Sequence, residues 1–157
     1  MVKITQTCID FIKKFEAFVP HPYHGAADVP GLYTIGYGTI KYPPYYLGGK
    51  KVDLADVPIT ETQAADFLLY ELQHKMVYID PLLRDDLTDN QFAALSSFAY
   101  NCGEQNLKIS TLLKKVNANP NDPSIADEFY KWCHVEQTIV PGLVRRRHEE
   151  AQLYFKI

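Results

Sequence analysis

Six of the ten prolines and six of the eight glycines in this 157-residue chain fall between residues 20 and 58. Proline removes a backbone donor and locks φ, and glycine raises the entropic cost of any regular element. A long helix therefore cannot run through that stretch, and whatever helices the chain has must flank it. Inside it lie two β-like runs, LYTIGYGTI at 32–40 and KKVDL at 50–54, with YPPYYLGGK between them as an irregular loop. The stretch reads as a small β-hairpin lobe. Gly36 and Gly38, set within the first run, predict a bulge or the close approach of a ligand to the backbone.

On both sides the periodicity turns helical. Ile4, Cys8, Phe11, Ile12, Phe15 and Val19 recur at helical spacing behind a possible Thr5 or Thr7 cap. This first helix is expected to reach Phe18 and stop before Pro20. Downstream, TETQ at Thr60–Gln63 and TDNQ at Thr88–Gln91 are capping boxes, each opening an apolar-periodic run. The first run should extend to Asp80. The second carries Phe92, Leu95, Phe98, Ala99 and Cys102 on one face and ends at Gly103, read as a left-handed cap. Shorter helices are expected over Ser110–Ala118 and from Asp122-Pro123 to Cys133. Pro141, at a first-turn position, opens the last helix, which runs to Phe155. The fold class is α+β and mainly helical: one domain over 1–157, with a first helix at 1–19, a small β lobe at 20–58 and a helical lobe at 59–157.

At this length a single core can bury about 70% of the unfolded surface. A hydrophobic share of 46% against 22% charged residues describes an ordinary globular chain. Its net charge of -3 gives no support to nucleic-acid binding, which needs a basic footprint. Arg145, Arg146 and Arg147 point about 100° apart on a helix and read as a solvated face. Cys8, Cys102 and Cys133 are an odd set without a CxxC pair, which argues for reduced, buried thiols and against a disulfide framework or a zinc site. His21 and His24 read as surface-loop residues with no partner carboxylate motif, so neither metal nor cofactor is expected. No apolar run is long enough to span a membrane, and the N-terminal segment does not read as a signal peptide. The chain is therefore expected in the cytoplasm of a host cell until released.

The segment FEAFVPHPYHGAADVPGLYTIGYG, residues 15–38, carries the chemistry. Glu16 stands where the first helix ends, half sheltered at the border of its apolar stripe. Asp28 follows on the adjoining loop, and Thr34 sits at the mouth of the hairpin. Cleaving a glycosidic bond takes one acid to protonate the leaving oxygen and a second to activate water or act as nucleophile. Two carboxylates flanking a hydroxyl meet that need, although such a trio is also common by chance.

Glu16, Asp28 and Thr34 together with YTIGYG resemble the active-site signature of the phage-type lysozymes, glycoside hydrolase family 24. DVPGLYT, from Asp28 to Thr34, matches that signature in spacing and at Gly31. LTDNQFAALSSFAYNCG, STLLKKVN, ADEFYKW and VPGLVRRRHEEAQLY resemble the family's helical lobe in the same order. Two features depart from the pattern. The family usually places eight residues between its Glu and its Asp, whereas eleven separate Glu16 from Asp28. Gly25 occupies the strict position, and a three-residue insertion is read in HGAAD. Thr39 stands where the family often has a structural His.

The resemblance implies a lysozyme-like fold with a cleft between the lobes. It also implies hydrolysis of the β-1,4 bond between N-acetylmuramic acid and N-acetylglucosamine in bacterial peptidoglycan, by a monomer without cofactor or stable membrane insertion. Glu16 would protonate the leaving oxygen. Asp28, ionised, would stabilise the oxocarbenium-like centre and, with Thr34, position the attacking water. Tyr33, Tyr37, Tyr100 and Asn101 are candidates for contacting the glycan. Two alternatives share the scaffold: lytic transglycosylation, in which the sugar's own hydroxyl attacks and no second carboxylate is needed, and peptidoglycan binding without cleavage.

Overall fold

The computed structural model describes residues 4–25 and 29–157. The order of elements is α1 (Gln6–Phe15), β1 (Val19–His24), β2 (Tyr33–Gly36), α2 (Glu61–Met76), α3 (Asp89–Cys102), α4 (Glu104–Ile109), α5 (Thr111–Ala118), α6 (Ile125–Tyr130), β3 (His134–Val135), β4 (Thr138–Ile139) and α7 (Pro141–Tyr154). The fold is α+β and mainly helical, as expected. It divides into two compact units, one made of residues 12–72 and the other of residues 1–11 and 73–157.

In the unit of residues 12–72, β2 pairs antiparallel with β1, with Tyr23 opposite Thr34, His24 opposite Tyr33 and an irregularity between Val19 and Tyr23. The expected partner run KKVDL contributes only a bridge from Lys51 to Lys41. VPHPYH did not read as a strand because of Pro20 and Pro22. In a two-stranded sheet each strand keeps one free edge, and there the missing N–H groups cost nothing. His21 and His24 are accordingly strand residues, not loop residues, though both are exposed.

Helix α1 stops at Phe15, short of Phe18, because the chain must turn into β1 by Val19. Thr5 is its cap: the Thr5 carbonyl accepts from the N–H of Cys8 at 3.1 Å and of Ile9 at 3.3 Å. Beyond β2 the chain turns back on itself, and Ile35 and Thr39 exchange backbone hydrogen bonds of 2.9 and 3.0 Å. Gly36 adopts φ +65°, and a Cβ there would lie 2.9 Å from the Ala64 Cβ and 3.1 Å from Ile59. A side chain at this position would thus collide with the chain's own packing around α2. Tyr42, Tyr46 and Phe67 stack around the core of this unit at centroid distances of 4.9–5.8 Å, alongside buried Ile35, Val52, Ile59, Leu68 and Leu72.

Both capping boxes are present. Thr60 and Gln63 exchange their bonds at 2.9 and 3.1 Å, and Thr88 and Gln91 at 2.9 and 3.2 Å. Helix α2 ends at Met76, before Asp80, where a 3-10 turn over Asp80–Leu82 begins. Gly103 does close α3, but at φ 94° and ψ 145°, outside the left-handed helical region. That extended ψ redirects the chain at once into α4, which sequence periodicity did not reveal. The expected helix up to Cys133 is only α6, and the small hairpin β3–β4 occupies the segment between that expected helix and the one opened by Pro141, where no strand was expected.

In the second unit α7 packs against α3 and α6. Phe98 meets Trp132 edge-on at 5.3 Å and Phe129 at 6.0 Å, and Phe129 meets Tyr154 at 5.8 Å. The arginine run does not form a solvated face. Arg145 is exposed and pairs with Glu149 at 2.9 Å, whereas Arg146 and Arg147 are buried around Glu150. Ser97 donates to Glu150 Oε1 at 2.6 Å, Arg147 Nη2 donates to the same oxygen at 2.9 Å, and Arg147 Nε lies 2.7 Å from Oε2. A guanidinium taken out of water needs such partners, and α3 and α7 supply them together. The three thiols are free: Cys8 and Cys133 are buried, and half-buried Cys102 lies against the Arg147 guanidinium.

Candidate functional site

Glu16 follows the last residue of α1, and its N–H still donates to the Ile12 carbonyl at 3.0 Å. The helix therefore carries the acid into place on a backbone that has not yet left helical geometry, which gives a rigid mount. The side chain is half-buried. Its charge is felt at Tyr23 of β1: burial pushes that phenol above its ordinary range, and the Glu16 charge pushes it the same way. A neighbouring phenol that stays protonated is a hydrogen-bond donor across the working pH range.

Tyr23 stands opposite Thr34 in the β1–β2 register, so helix end, first strand and second strand converge on one corner of the 12–72 unit. Thr34 is 7% exposed. Directly against it is Gly25, where a Cβ would sit 2.9 Å from the Thr34 hydroxyl oxygen. The strand enters this corner from a sharp turn: Leu32 N–H donates to the Val29 carbonyl at 3.0 Å across Pro30 and Gly31, and Gly31 has φ +76°. Pro at the second and Gly at the third position are what a type II turn requires. Asp28, the expected second carboxylate, lies outside the described residues.

The remaining candidates fall in different settings. Tyr33 is half-buried, and its ring meets His24 edge-on at 4.9 Å. Tyr37 is only 5% exposed. It donates to Glu61 at 2.7 Å, packs 5.7 Å from Phe18 and lies under Lys13 at 5.3 Å. Burial and the Glu61 carboxylate push this phenol up to about 12, so it acts as a fixed donor tying the hairpin turn to the start of α2. Tyr100 and Asn101 belong to the other unit. There Tyr100 is half-buried beneath the Lys75 ammonium at 5.9 Å, and Asn101 is exposed.

Sequence reasoning did not single out Tyr23. Its signal was the strand alternation of β1, which Pro20 and Pro22 conceal. Among the described residues no group of three His, Cys, Asp or Glu side chains is arranged to hold a metal ion. None of the described helices is long and apolar enough to cross a membrane.

The corner thus holds an acid at a helix end, a phenol that senses its charge and, opposite that phenol in the sheet register, a buried hydroxyl. The chain is 39% identical over 153 residues to the endolysin of Bacillus phage B103, covering 98% of this chain and 54% of that protein. It is 30% identical to the endolysin of Acyrthosiphon pisum secondary endosymbiont phage 1, over 96% of this chain and 97% of that one. The chain thus spans about half the length of the Bacillus phage relatives it matches. Among solved structures, the endolysin from Escherichia coli O157:H7 phage FAHEc1 superimposes with a TM-score of 0.83 at 32% identity, covering 98% of this chain and 94% of its own. With residues 13–150 matching the Phage lysozyme family model, a span that takes in Glu16, Thr34 and the elements from β1 into α7, this chain belongs to the phage lysozyme family.

Proposed function

We propose that the chain is an endolysin-type muramidase, hydrolysing the β-1,4 bond between N-acetylmuramic acid and N-acetylglucosamine in bacterial peptidoglycan. The observation that carries this reading is the corner formed by Glu16, Tyr23 and Thr34, mounted on a helix end and a hairpin within the family's matched span. Glu16 protonates the glycosidic oxygen as the bond breaks. Asp28 balances the positive charge developing on the sugar and, with the Thr34 hydroxyl, orients the attacking water. Tyr33 flanks this corner and presents a ring face to the glycan, and Tyr100 and Asn101 are proposed as further glycan-contacting residues. Tyr37 supports the site through the hairpin turn. Residues 1–157 act as one lysozyme domain and as a monomer, released from the host cytoplasm to reach the wall.

Mass spectrometry of digested wall fragments tests the reading, because it fixes the bond and the reaction together. Fragments with reducing N-acetylmuramic acid ends are expected. A 1,6-anhydro-muramoyl end would show a transglycosylase instead, and wall binding without soluble fragments would show a non-catalytic module. Asp28→Asn should lower turnover by several orders of magnitude. A mild effect would remove Asp28 from the role of second carboxylate.

A further inference from the structure

Six of the eight glycines have positive φ, so backbone conformation alone accounts for them. Gly25 and Gly142 do not. A side chain at Gly142 would meet nothing, whereas one at Gly25 would meet the Thr34 hydroxyl oxygen at 2.9 Å, closer than real Cβ contacts come. Thr34 has little room to yield. It is β-branched, with a stiff χ1, and it stands buried in a strand paired with β1. The absence of a side chain at residue 25 is therefore matched to one particular oxygen atom.

We propose that Gly25 is a positioning residue whose bare α-carbon walls in the Thr34 hydroxyl and holds it in the rotamer that orients water. This rests on the reading of Thr34 as a water-holding group.

The experiment measures kcat and KM on a soluble peptidoglycan fragment, and the melting temperature, for the full chain carrying Gly25→Ala, Thr34→Ser, Thr34→Val and the Gly25→Ala/Thr34→Ser pair. Ser keeps the hydroxyl but lacks the γ-methyl, so it can rotate away from an added Cβ. Gly25→Ala is expected to lower kcat at least tenfold with KM within about twofold, and to cost less than about threefold in the Thr34→Ser background. Equal losses in both backgrounds, or a Gly25→Ala kcat within twofold of the parent, would overturn the proposal. Should Gly25→Ala fail to fold, recovery of the fold by Thr34→Ser supports the contact, and no recovery refutes it. Full activity in Thr34→Val would instead sink the reading of Thr34 itself, an outcome distinct from a silent Gly25→Ala beside an inactive Thr34→Val.

Discussion

Glu150 in the helical unit and Glu16 in the β-bearing unit are both sheltered carboxylates, yet their surroundings differ in kind. Glu150 is fully buried, and Ser97, Arg146 and Arg147 converge on it from α3 and α7. Burial pushes its pKa above the ordinary carboxylate value while the two guanidiniums and the hydroxyl pull the other way. With none of its surface exposed, it closes a buried charge cluster. Glu16 is only half-buried, mounted at a helix end and next to a phenol. An acid that must give up a proton and regain it in every cycle needs a path to solvent. The contrast separates a carboxylate that holds the fold from one suited to chemistry.

The widest test of that separation replaces each acid by its amide. Glu16→Gln should lower muropeptide release by about a thousandfold, the middle of the range for loss of general acid catalysis. The melting curve should stay close to that of the parent. Activity retained in full would take Glu16 out of the mechanism and erase the contrast. Glu150→Gln should do the reverse. It removes the carboxylate on which Arg146 and Arg147 converge, at a cost of about 3–5 kcal/mol in urea unfolding. Turnover per folded molecule, measured at low temperature, should remain near the parent's. A loss under about 1 kcal/mol would mean that the cluster relaxes or admits water.

Much of the fold was legible in the sequence because its signals were local. TETQ and TDNQ announce their helices through hydrogen bonds that span only three residues, and Pro141 opens α7 where expected. The missed elements depend on contacts between distant residues or on unusual turns. Strand β1 exists because β2 offers it a partner, and its two prolines argued against it locally. The β3–β4 turn places Glu136 at φ 54°, with no glycine or asparagine to mark it. Arg146 and Arg147 read as solvated because nothing nearby in sequence shows that Ser97 will stand opposite Glu150. At the site, Glu16 and Thr34 were readable from a helix end and a hairpin, with the family resemblance supplying their roles. Tyr23 and the Gly25–Thr34 contact became visible only in three dimensions.

A second buried acid of the helical unit sharpens the comparison through pH. Lys115 at 2.7 Å and Lys131 at 2.9 Å hold the Glu128 carboxyl below its ordinary value of 4.5, against the opposing effect of burial. A depressed folded value means that the stabilisation is complete above about pH 4.5 and is lost as pH falls through the lower, folded value. Stability of the parent should therefore decline on acidification below that point, and Glu128→Gln should flatten the decline while lowering stability at pH 7. Identical acid limbs in thermal melts of the two proteins would show that Glu128 is not the group being protonated.

The smallest expected effect compares the two capping boxes, which share their chemistry and differ in their setting. Thr60 and Gln63 make their reciprocal bonds at a largely exposed helix start. In the other box Gln91 is buried, and its amide donates onward to the Pro120 carbonyl at 3.2 Å, joining the start of α3 to the loop after α5. Removing the threonine hydroxyl deletes one acceptor in each case, but only at Thr88 does that loosen a residue tied to distant backbone. Loss of a cap typically costs about 1 kcal/mol. Thr88→Ala should therefore fall at or above that figure, and Thr60→Ala nearer half of it, where water replaces the lost acceptor at little cost. Equal losses in chemical denaturation would show that each box acts on its own helix end alone and that the Gln91–Pro120 link carries no stability.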